Sequence, residues 1–204
     1  TTRVWIEKNQ NKLTWSITII ALVVTGVLAL NTYVIKPKAV EVSNENAKAV
    51  AYFMQGDWEK ALNGDDAECV GFQAIADEYK MYQGGKLAAL YAGVCYYQLG
   101  QYEDAAAYLN KFSANDLTIE PAALQLLGDA YVQMEDYSKA VKAFESAAKS
   151  GNDLIAPMSL KKAGLVYLEL GDKAAAKKAF EAIKADYPAS SEAQSIDAYI
   201  AIAQ

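Results

Sequence analysis

The stretch LGDAYVQMEDYSKAVKAFESA, residues Leu127–Ala147, decides the fold of this 204-residue chain. Small and aromatic residues occur in it at the three- and four-residue spacings of a helix face. The pattern predicts two short helices placed back to back, with Gly128 in the first and Glu135–Asp136 in the turn. Small residues let the helices approach closely, and aromatic rings fill the space between them. One face of the second helix is predicted to hold Tyr137, Ala140, Phe144 and Ala147.

The same pattern occurs twice more in the chain. The glycine of the first helix recurs as Gly93 and Gly164, 35 residues before and 36 residues after Gly128. Lys173 stands where the pattern expects a tyrosine, so the third copy is predicted to pack less well. Three copies in phase predict a protein built from stacked helical repeats. The other matching residues are Tyr96, Gly100, Tyr102, Ala105 and Leu109 upstream, and Tyr167, Gly171, Ala176 and Phe180 downstream.

The order Leu-Gly, Tyr, Tyr, Ala, Phe, Ala resembles the tetratricopeptide repeat (TPR), whose period is about 34 residues. The resemblance implies an all-α solenoid in which two-helix repeats stack on one another. About three full repeats are expected, and a capping helix is predicted over residues 190–203. Its inward face is predicted to hold Ala193, Ile196, Tyr199, Ile200 and Ala203.

A degenerate helical pair is predicted ahead of the full repeats, beginning over Asn44–Asn63. Gly56-Asp57 is its predicted turn, Phe72–Tyr79 a short helix that completes it, and Gly84-Gly85 a break before the first full repeat. The first helix of the pair is expected to bury Ala47, Val50, Ala51 and Met54, and the second to contain Trp58, Ala61 and Leu62.

The segment Gly64–Gly71 is predicted to be an acidic loop. Asp65, Asp66 and Glu68 suggest a calcium site, but the alternating acids and distal Glu of an EF-hand are missing. A solvated loop is therefore the better interpretation.

Residues 13–35 contain no charged residue. A helix of that length spans roughly 34 Å, enough to cross the hydrocarbon core of a bilayer. Trp15 and Tyr33 stand near its ends, where membrane interfaces favour aromatic residues. The run is longer than the apolar region of a cleaved signal peptide, so it predicts an uncleaved transmembrane signal anchor.

Small and polar residues inside this anchor permit close packing against other transmembrane helices. The alternative is that the hydroxyl groups bond to carbonyls of their own helix. The candidate helix-packing residues are Thr14, Ser16, Thr18, Thr25 and Gly26.

The flank before the anchor carries Arg3, Lys8 and Lys12 against one acid, Glu7. The positive-inside rule then predicts a cytoplasmic N-terminus and a translocated C-terminal domain, which in a bacterium lies in the periplasm. The predicted organisation is a flank at 1–12, the anchor at 13–35, a linker at 36–43 and the TPR domain at 44–204.

Composition excludes several functions. The net charge of -6 and pI near 4.8 argue against a nucleic-acid-binding surface. The absence of histidine removes the commonest general base and metal ligand, so no enzyme activity, cofactor or metal is predicted. Cys95 is predicted to be a small buried apolar residue, and a disulfide between Cys69 and Cys95 in an oxidising compartment is left open.

The first helix of each TPR repeat is expected to line a concave groove. The groove is predicted to be apolar with acidic spots, and to lack the Lys, Asn and Arg clamp that some TPR domains use to bind carboxylates. It binds either an apolar peptide or partner surface, or is filled by a neighbouring helix or the cap. The predicted lining is Leu90, Val94, Tyr97 and Gln98; Gln125, Asp129, Val132 and Gln133; and Lys161, Leu165, Leu168 and Glu169.

The whole layout resembles the bacterial YfgM-like proteins: a short basic N-terminus, one anchor, a helical pair with ALNGD before Gly-Phe, three TPR units and a cap. The resemblance implies an accessory subunit of the SecYEG-type protein translocon in the inner membrane. It also implies a chaperone-like module that pairs with a PpiD-like membrane-anchored protein and meets secreted client chains. Two alternatives remain: another envelope scaffold for secretion or outer-membrane assembly, and a receptor on a eukaryotic organelle with a cytosolic domain.

Overall fold

The computed structural model describes Trp5 and residues 7–65, 68–114 and 116–204. All regular structure in these residues is helical, and the chain divides into two compact units, Thr1–Asn44 and Glu45–Gln204. The helices are α1 (Gln10–Leu30), a π-helical segment (Asn31–Ile35), α2 (Lys36–Met54), α3 (Trp58–Asn63), α4 (Gly71–Glu78), α5 (Gln83–Gln98), α6 (Tyr102–Leu109), α7 (Ile119–Gln133), α8 (Tyr137–Ala148), α9 (Ile155–Glu169), α10 (Lys173–Asp186), a 3-10 turn (Ala193–Ser195) and α11 (Ile196–Ile202).

The first unit contains α1, none of whose residues is buried. Helical residues run without interruption over Gln10–Met54, and this is the one helix among the described residues that is long and apolar enough to cross a membrane. Residues 36–43, predicted as a linker, are helical and form the start of α2. The chain therefore leaves the apolar segment as helix rather than as an extended connection.

The three predicted repeats are confirmed as the helix pairs α5–α6, α7–α8 and α9–α10. In each turn one residue takes a left-handed conformation, Gly100, Glu135 or Gly171, with φ of 74°, 58° and 75°. Asp136 and Asp172 then cap α8 and α10, because each carboxylate accepts the backbone N–H three residues later. The Glu135–Asp136 turn predicted from sequence is therefore present.

The repeat glycines lie where two helices come closest. A Cβ atom on Gly128 would lie 2.5 Å from Cε1 of Phe144, and a Cβ on Gly164 would overlap the ring of Phe180. Gly93 stands in the same relation to Leu109, whose Cγ would be 2.6 Å away. Glycine is required because the large apolar side chain of the second helix occupies the space of its Cβ.

Quasi-equivalent hydrogen bonds join successive repeats. Asn110 Nδ2 donates to the Tyr131 hydroxyl at 3.1 Å, and the Tyr167 hydroxyl donates to Glu145 Oε1 at 2.7 Å. Burial, reinforced by this hydrogen bond, raises the pKa of Tyr167 to about 12. Between the second and third repeats the core contains Ala140, Val141, Phe144, Ala163 and Val166.

The buried face of α2 differs from the prediction. Ala47 and Ala51 are exposed, and Met54 is 82% exposed. Val50 is partly buried as predicted, but the other inward residues are Asn46, Ala49 and Phe53. The physical reason is the Phe53 ring, which meets the rings of Trp58, Phe72 and Tyr91 at 5.1, 6.1 and 5.0 Å. These aromatic contacts outweigh the burial of a methionine and two alanines.

The acidic loop is held by Asp65. Its carboxylate accepts the hydroxyl of Tyr52 at 2.5 Å and the backbone N–H groups of Glu68 and Cys69 at 2.7 and 3.0 Å. Asp66 lies outside the described residues. The described part of the loop thus uses the carboxylate near its start to fix the backbone.

The glycine pair Gly84-Gly85 does not break the chain, because both residues lie in the first turn of α5. A Cβ on Gly85 would overlap the backbone carbonyl of Tyr79. The pair therefore allows α5 to begin directly against the end of the preceding unit.

The predicted cap is shorter than expected, since α11 begins at Ile196. Ile196 and Ala203 are buried against Phe180 and Ile183, and Tyr199 and Ile200 pack beside them. The inward face was therefore predicted correctly. Both cysteines are free and buried, and burial raises the pKa of Cys95 to about 12, as befits a small apolar residue.

Candidate partner-binding groove

The first helices of neighbouring repeats, α5, α7 and α9, contact one another in order. Because the three helices are in contact, their exposed sides form one continuous surface. On that surface each helix presents residues that are one helical turn apart. Leu90, Val94 and Tyr97 on α5 are partly buried, and Gln98 at its end is exposed. This surface, formed by the residues predicted above on α5, α7 and α9, is the candidate groove.

Polar contacts tie α7 to α9 within the groove. Gln125 Nε2 donates to the hydroxyl of buried Ser159 at 3.1 Å. Lys162 Nζ donates to both carboxylate oxygens of Asp129, at 2.8 and 2.6 Å. The Lys162 and Asp129 side chains are only 32% and 26% exposed, so water screens this pair less than an ordinary surface pair.

Lys162 was missed in the sequence analysis, which predicted an acidic spot at Asp129. The two residues are 33 positions apart and Gln125 and Ser159 are 34 apart, close to the 36-residue spacing of these two repeats. That offset was the signal available in the sequence. The structure therefore neutralises the acidic spot within the groove.

Aromatic and aliphatic groups complete the part of the groove near α5. The Tyr97 ring meets the Tyr102 ring edge to face, with centroids 5.4 Å apart. Burial raises the pKa of the Tyr97 hydroxyl, and the negative charge of Asp129 adds to the effect. Because a charge on α7 acts on a tyrosine of α5, these side chains belong to one electrostatic environment.

The cap helix covers part of the groove at its α9 end. Leu168 packs on the cluster that contains Phe180 and Tyr199, and Lys161 Nζ lies 4.9 Å from the centroid of the Tyr199 ring. Val132 packs on the core cluster around Phe144. Leu165 remains 39% exposed, while Gln133 and Glu169 are exposed at the helix ends. The free apolar surface is therefore centred on α5 and Leu165.

The candidate anchor residues use their polar groups locally. The hydroxyls of Thr14, Ser16, Thr18 and Thr25 each donate to the carbonyl four residues earlier, at 2.8 to 2.9 Å. A Cβ on Gly26 would meet nothing within 4 Å. These residues therefore need no partner to satisfy their hydrogen bonds, and their small size is what they offer to another helix.

Comparison with known proteins supports the repeat assignment. Tetratricopeptide repeat models match residues 126–191 and residues 87–116. A crystal structure of MamA protein is 20% identical, covers 79% of this chain and 80% of its own, and superposes with a TM-score of 0.62. No curated protein matches the sequence.

A second similar structure is that of a Podospora anserina putative kinesin light chain with nearly identical TPR-like repeats. It is 14% identical, covers 81% of this chain and 85% of its own, and has a TM-score of 0.59. At these identities the likeness establishes the fold alone. The chain thus has a TPR-type α-solenoid, the class of fold that serves as a scaffold for protein–protein interactions, and one apolar helix near its N-terminus.

Proposed function

We propose that this chain is a membrane-anchored TPR scaffold that acts as a chaperone-like accessory subunit of a SecYEG-type translocon. The observation that carries the proposal is one chain with both a membrane-length apolar helix and a TPR solenoid. An anchored solenoid is tethered to the membrane that secreted chains cross. The choice of Sec rests on the resemblance to YfgM-like proteins, which also supplies the PpiD-like partner.

The groove chemistry is compatible with such clients. Its charged pair, Asp129 and Lys162, is already matched, so a ligand needs no charge to bind there. Leu90, Val94, Tyr97 and Leu165 offer partly exposed apolar surface, which an unfolded secreted chain can cover with its own apolar residues. The soluble domain has 16 basic and 24 acidic residues after position 35, which disfavours its lying flat on anionic lipid.

The proposed location is the bacterial inner membrane, with the N-terminus in the cytoplasm and the TPR domain in the periplasm. We expect alkaline phosphatase fused after Gln204 to be active in a Gram-negative host, because this enzyme folds only after export. Fusion before Leu13 serves as the control and is expected to be inactive. The reverse pattern would place the TPR domain in the cytoplasm and exclude a role at the periplasmic exit.

The partner assignment is tested by photo-crosslinking in cells. A photoreactive amino acid at Tyr97 or Leu165 is expected to capture a Sec subunit, a PpiD-like protein or a secreted chain, identified by mass spectrometry. Exposed Lys142, on the second helix of its repeat, is the matched control position and is expected to capture none of them. Groove crosslinks that contain only other envelope proteins would contradict the Sec assignment and favour a different envelope scaffold.

Replacement of Leu13–Ile35 by an unrelated transmembrane helix completes the same experiment. We expect the chimera to separate from the translocon during mild-detergent purification while the repeats stay folded, since small residues such as Thr18 and Gly26 favour close helix packing. Full copurification of the chimera would show that the soluble domain alone holds the complex.

A further inference from the structure

A second candidate site lies outside the groove, between α4, the start of α5 and the end of α6. It is a cleft of about 410 Å³. Ala76, Gly85 and Ala89 contribute its small apolar lining, and the charged residues around it are Lys80, Lys86, Lys111 and Asp77. This lysine cleft concentrates positive charge on a chain whose net charge is -6.

Among the described residues, the one carboxylate that lines the lysine cleft is that of Asp77, and it is already bonded through both oxygens. Lys111 Nζ donates to Asp77 Oδ1 and the Tyr108 hydroxyl donates to Oδ2, both at 2.8 Å. The Lys111 ammonium also lies 3.6 Å from the centroid of the Tyr108 ring. Although burial opposes the effect, these two hydrogen bonds lower the pKa of Asp77. Asp77 and Lys111 therefore form a pair without net charge, in which both carboxylate oxygens of Asp77 already accept a hydrogen bond.

Two further lysines keep their charge available. Lys86 Nζ donates to the neutral Ser113 hydroxyl at 3.2 Å. Lys80 forms no salt bridge among the described residues, although its charge, with that of Lys111, also acts on Asp77. Asp116 shares a neighbouring depression with Lys86, but its Oδ1 accepts the backbone N–H groups of Thr118 and Ile119. With Asp116 included, three lysines still face two carboxylates in the part of the chain that the structure describes.

The start of α5 adds to this positive potential. Gly85 and Lys86 lie in its first turn, which has no acidic residue, and Tyr82 before it provides no side-chain cap. The N–H groups at a helix N-terminus carry partial positive charge and favour an anion. This effect acts in the same direction as Lys80 and Lys86.

We propose that the lysine cleft binds a carboxylate of an acidic polypeptide segment, through Lys80 and Lys86. The positive charge of Lys80 and Lys86 is complementary to a carboxylate, and the apolar surface of Ala76 and Ala89 suits the aliphatic stem that carries it. The carboxylate comes from a Glu or Asp side chain or from a chain terminus, and the chemistry is shared. This site is independent of the groove and of the proposed Sec role.

The test measures peptide binding to the full chain in neutral-lipid nanodiscs by fluorescence anisotropy. The probe is a labelled peptide of alternating Glu and Ala, compared with its Gln counterpart, each with a free or an amidated C-terminus. We expect the Glu peptide to bind at least about tenfold more tightly than the Gln peptide, and to weaken between about 50 and about 300 mM salt. A preference that depends only on the free C-terminus would assign the carboxylate to a chain end instead.

Matched charge reversals locate the site. The double variant Lys80→Glu/Lys86→Glu is expected to weaken binding of the Glu peptide at least about tenfold, whereas Lys142→Glu/Lys149→Glu, also on exposed or half-exposed positions, changes it less than about twofold. Asp77→Asn keeps the shape but frees Lys111 from its anionic partner. We expect it to tighten binding about threefold, a gain that unfolding cannot imitate.

Equal loss of binding in the two double variants, or no preference for Glu over Gln, would overturn the proposal. So would an unchanged peptide affinity in Lys80→Glu/Lys86→Glu combined with lost binding to phosphatidylglycerol vesicles, which would assign the cleft to lipid. Failure of the groove crosslinks leaves these measurements unaffected, so the two proposals are tested separately.

Discussion

Gly128→Ala is expected to destabilise the wild-type chain by about 1–3 kcal/mol, because the new methyl group overpacks a filled site. Its Cβ would lie 2.5 Å from Cε1 of Phe144, a ring that is only 1% exposed and cannot swing into solvent. Phe144→Ala alone is expected to lower the free energy of unfolding by about 3–5 kcal/mol, since it leaves a cavity in the core of two repeats.

The effect of Gly128→Ala on the free energy of unfolding is expected to change sign when Phe144 is also replaced by alanine. With Phe144 replaced by alanine, the space opposite Gly128 is open, and alanine is favoured over glycine in a helix by about 1 kcal/mol. We therefore expect Gly128→Ala to stabilise the Phe144→Ala chain. Chemical denaturation of the full chain in detergent, followed by circular dichroism, measures all four corners of this double-mutant cycle.

The control for this cycle is Lys142→Ala in α8. Lys142 is exposed, and its truncation is expected to change the free energy of unfolding by less than about 0.5 kcal/mol. An equal effect of Gly128→Ala in both backgrounds would contradict the contact with Phe144 and the repeat register that rests on it.

The repeat architecture could be predicted from the sequence because its signals are local and periodic. Gly128, Ala140 and Phe144 indicate a close contact between two helices. The same pattern recurs at the repeat period and predicts the other two helix pairs. Contacts within one hairpin depend on spacing along two adjacent helices. A sequence shows that spacing directly.

The face of α2 could not be predicted in the same way. Both candidate faces carry apolar residues at helical spacing, and the choice was made by Phe53 meeting Phe72 and Tyr91 from later helices. The Asn46 side chain completes the inward face by donating to the carbonyl of Gly84, 38 residues away. Nothing in the local pattern marks such distant partners.

The sequence did not show which charged residues meet at the two candidate sites, for the same reason. Asp129 meets Lys162 from the next repeat, and Lys80, Lys86 and Lys111 come together from three segments of the chain. A scan for charge runs finds neither. The groove residues themselves, such as Tyr97 and Leu165, were placed by repeat position, and their role in binding stays a prediction.

The loop over Gly64–Gly71 also requires glycine, and here, as at Gly85, the obstruction is backbone rather than a side chain. Gly71 has φ of 76°, and a Cβ there would lie 2.5 Å from the Asn63 carbonyl carbon and closer still to Leu62 O and Gly64 N. Gly100 has nearly the same φ, 74°, with nothing within 4 Å of its Cβ position. A comparison of alanine substitutions at Gly71 and Gly100 therefore distinguishes the cost of backbone strain from the cost of steric overlap.

Gly71→Ala is expected to lower the free energy of unfolding by about 3 kcal/mol or more, since left-handed strain of about 1–2 kcal/mol adds to overlap with atoms that cannot move. Gly100→Ala carries the strain alone and is expected to cost about 1–2 kcal/mol. Cys69 reports on the loop, because it is buried there and burial raises the pKa of its thiol. We expect maleimide to label Cys69 rapidly in Gly71→Ala and slowly in Gly100→Ala, with Cys95 protected in both, as read by peptide mapping. Equal stability losses, or protection of Cys69 in both variants, would show that the loop accepts a side chain at Gly71.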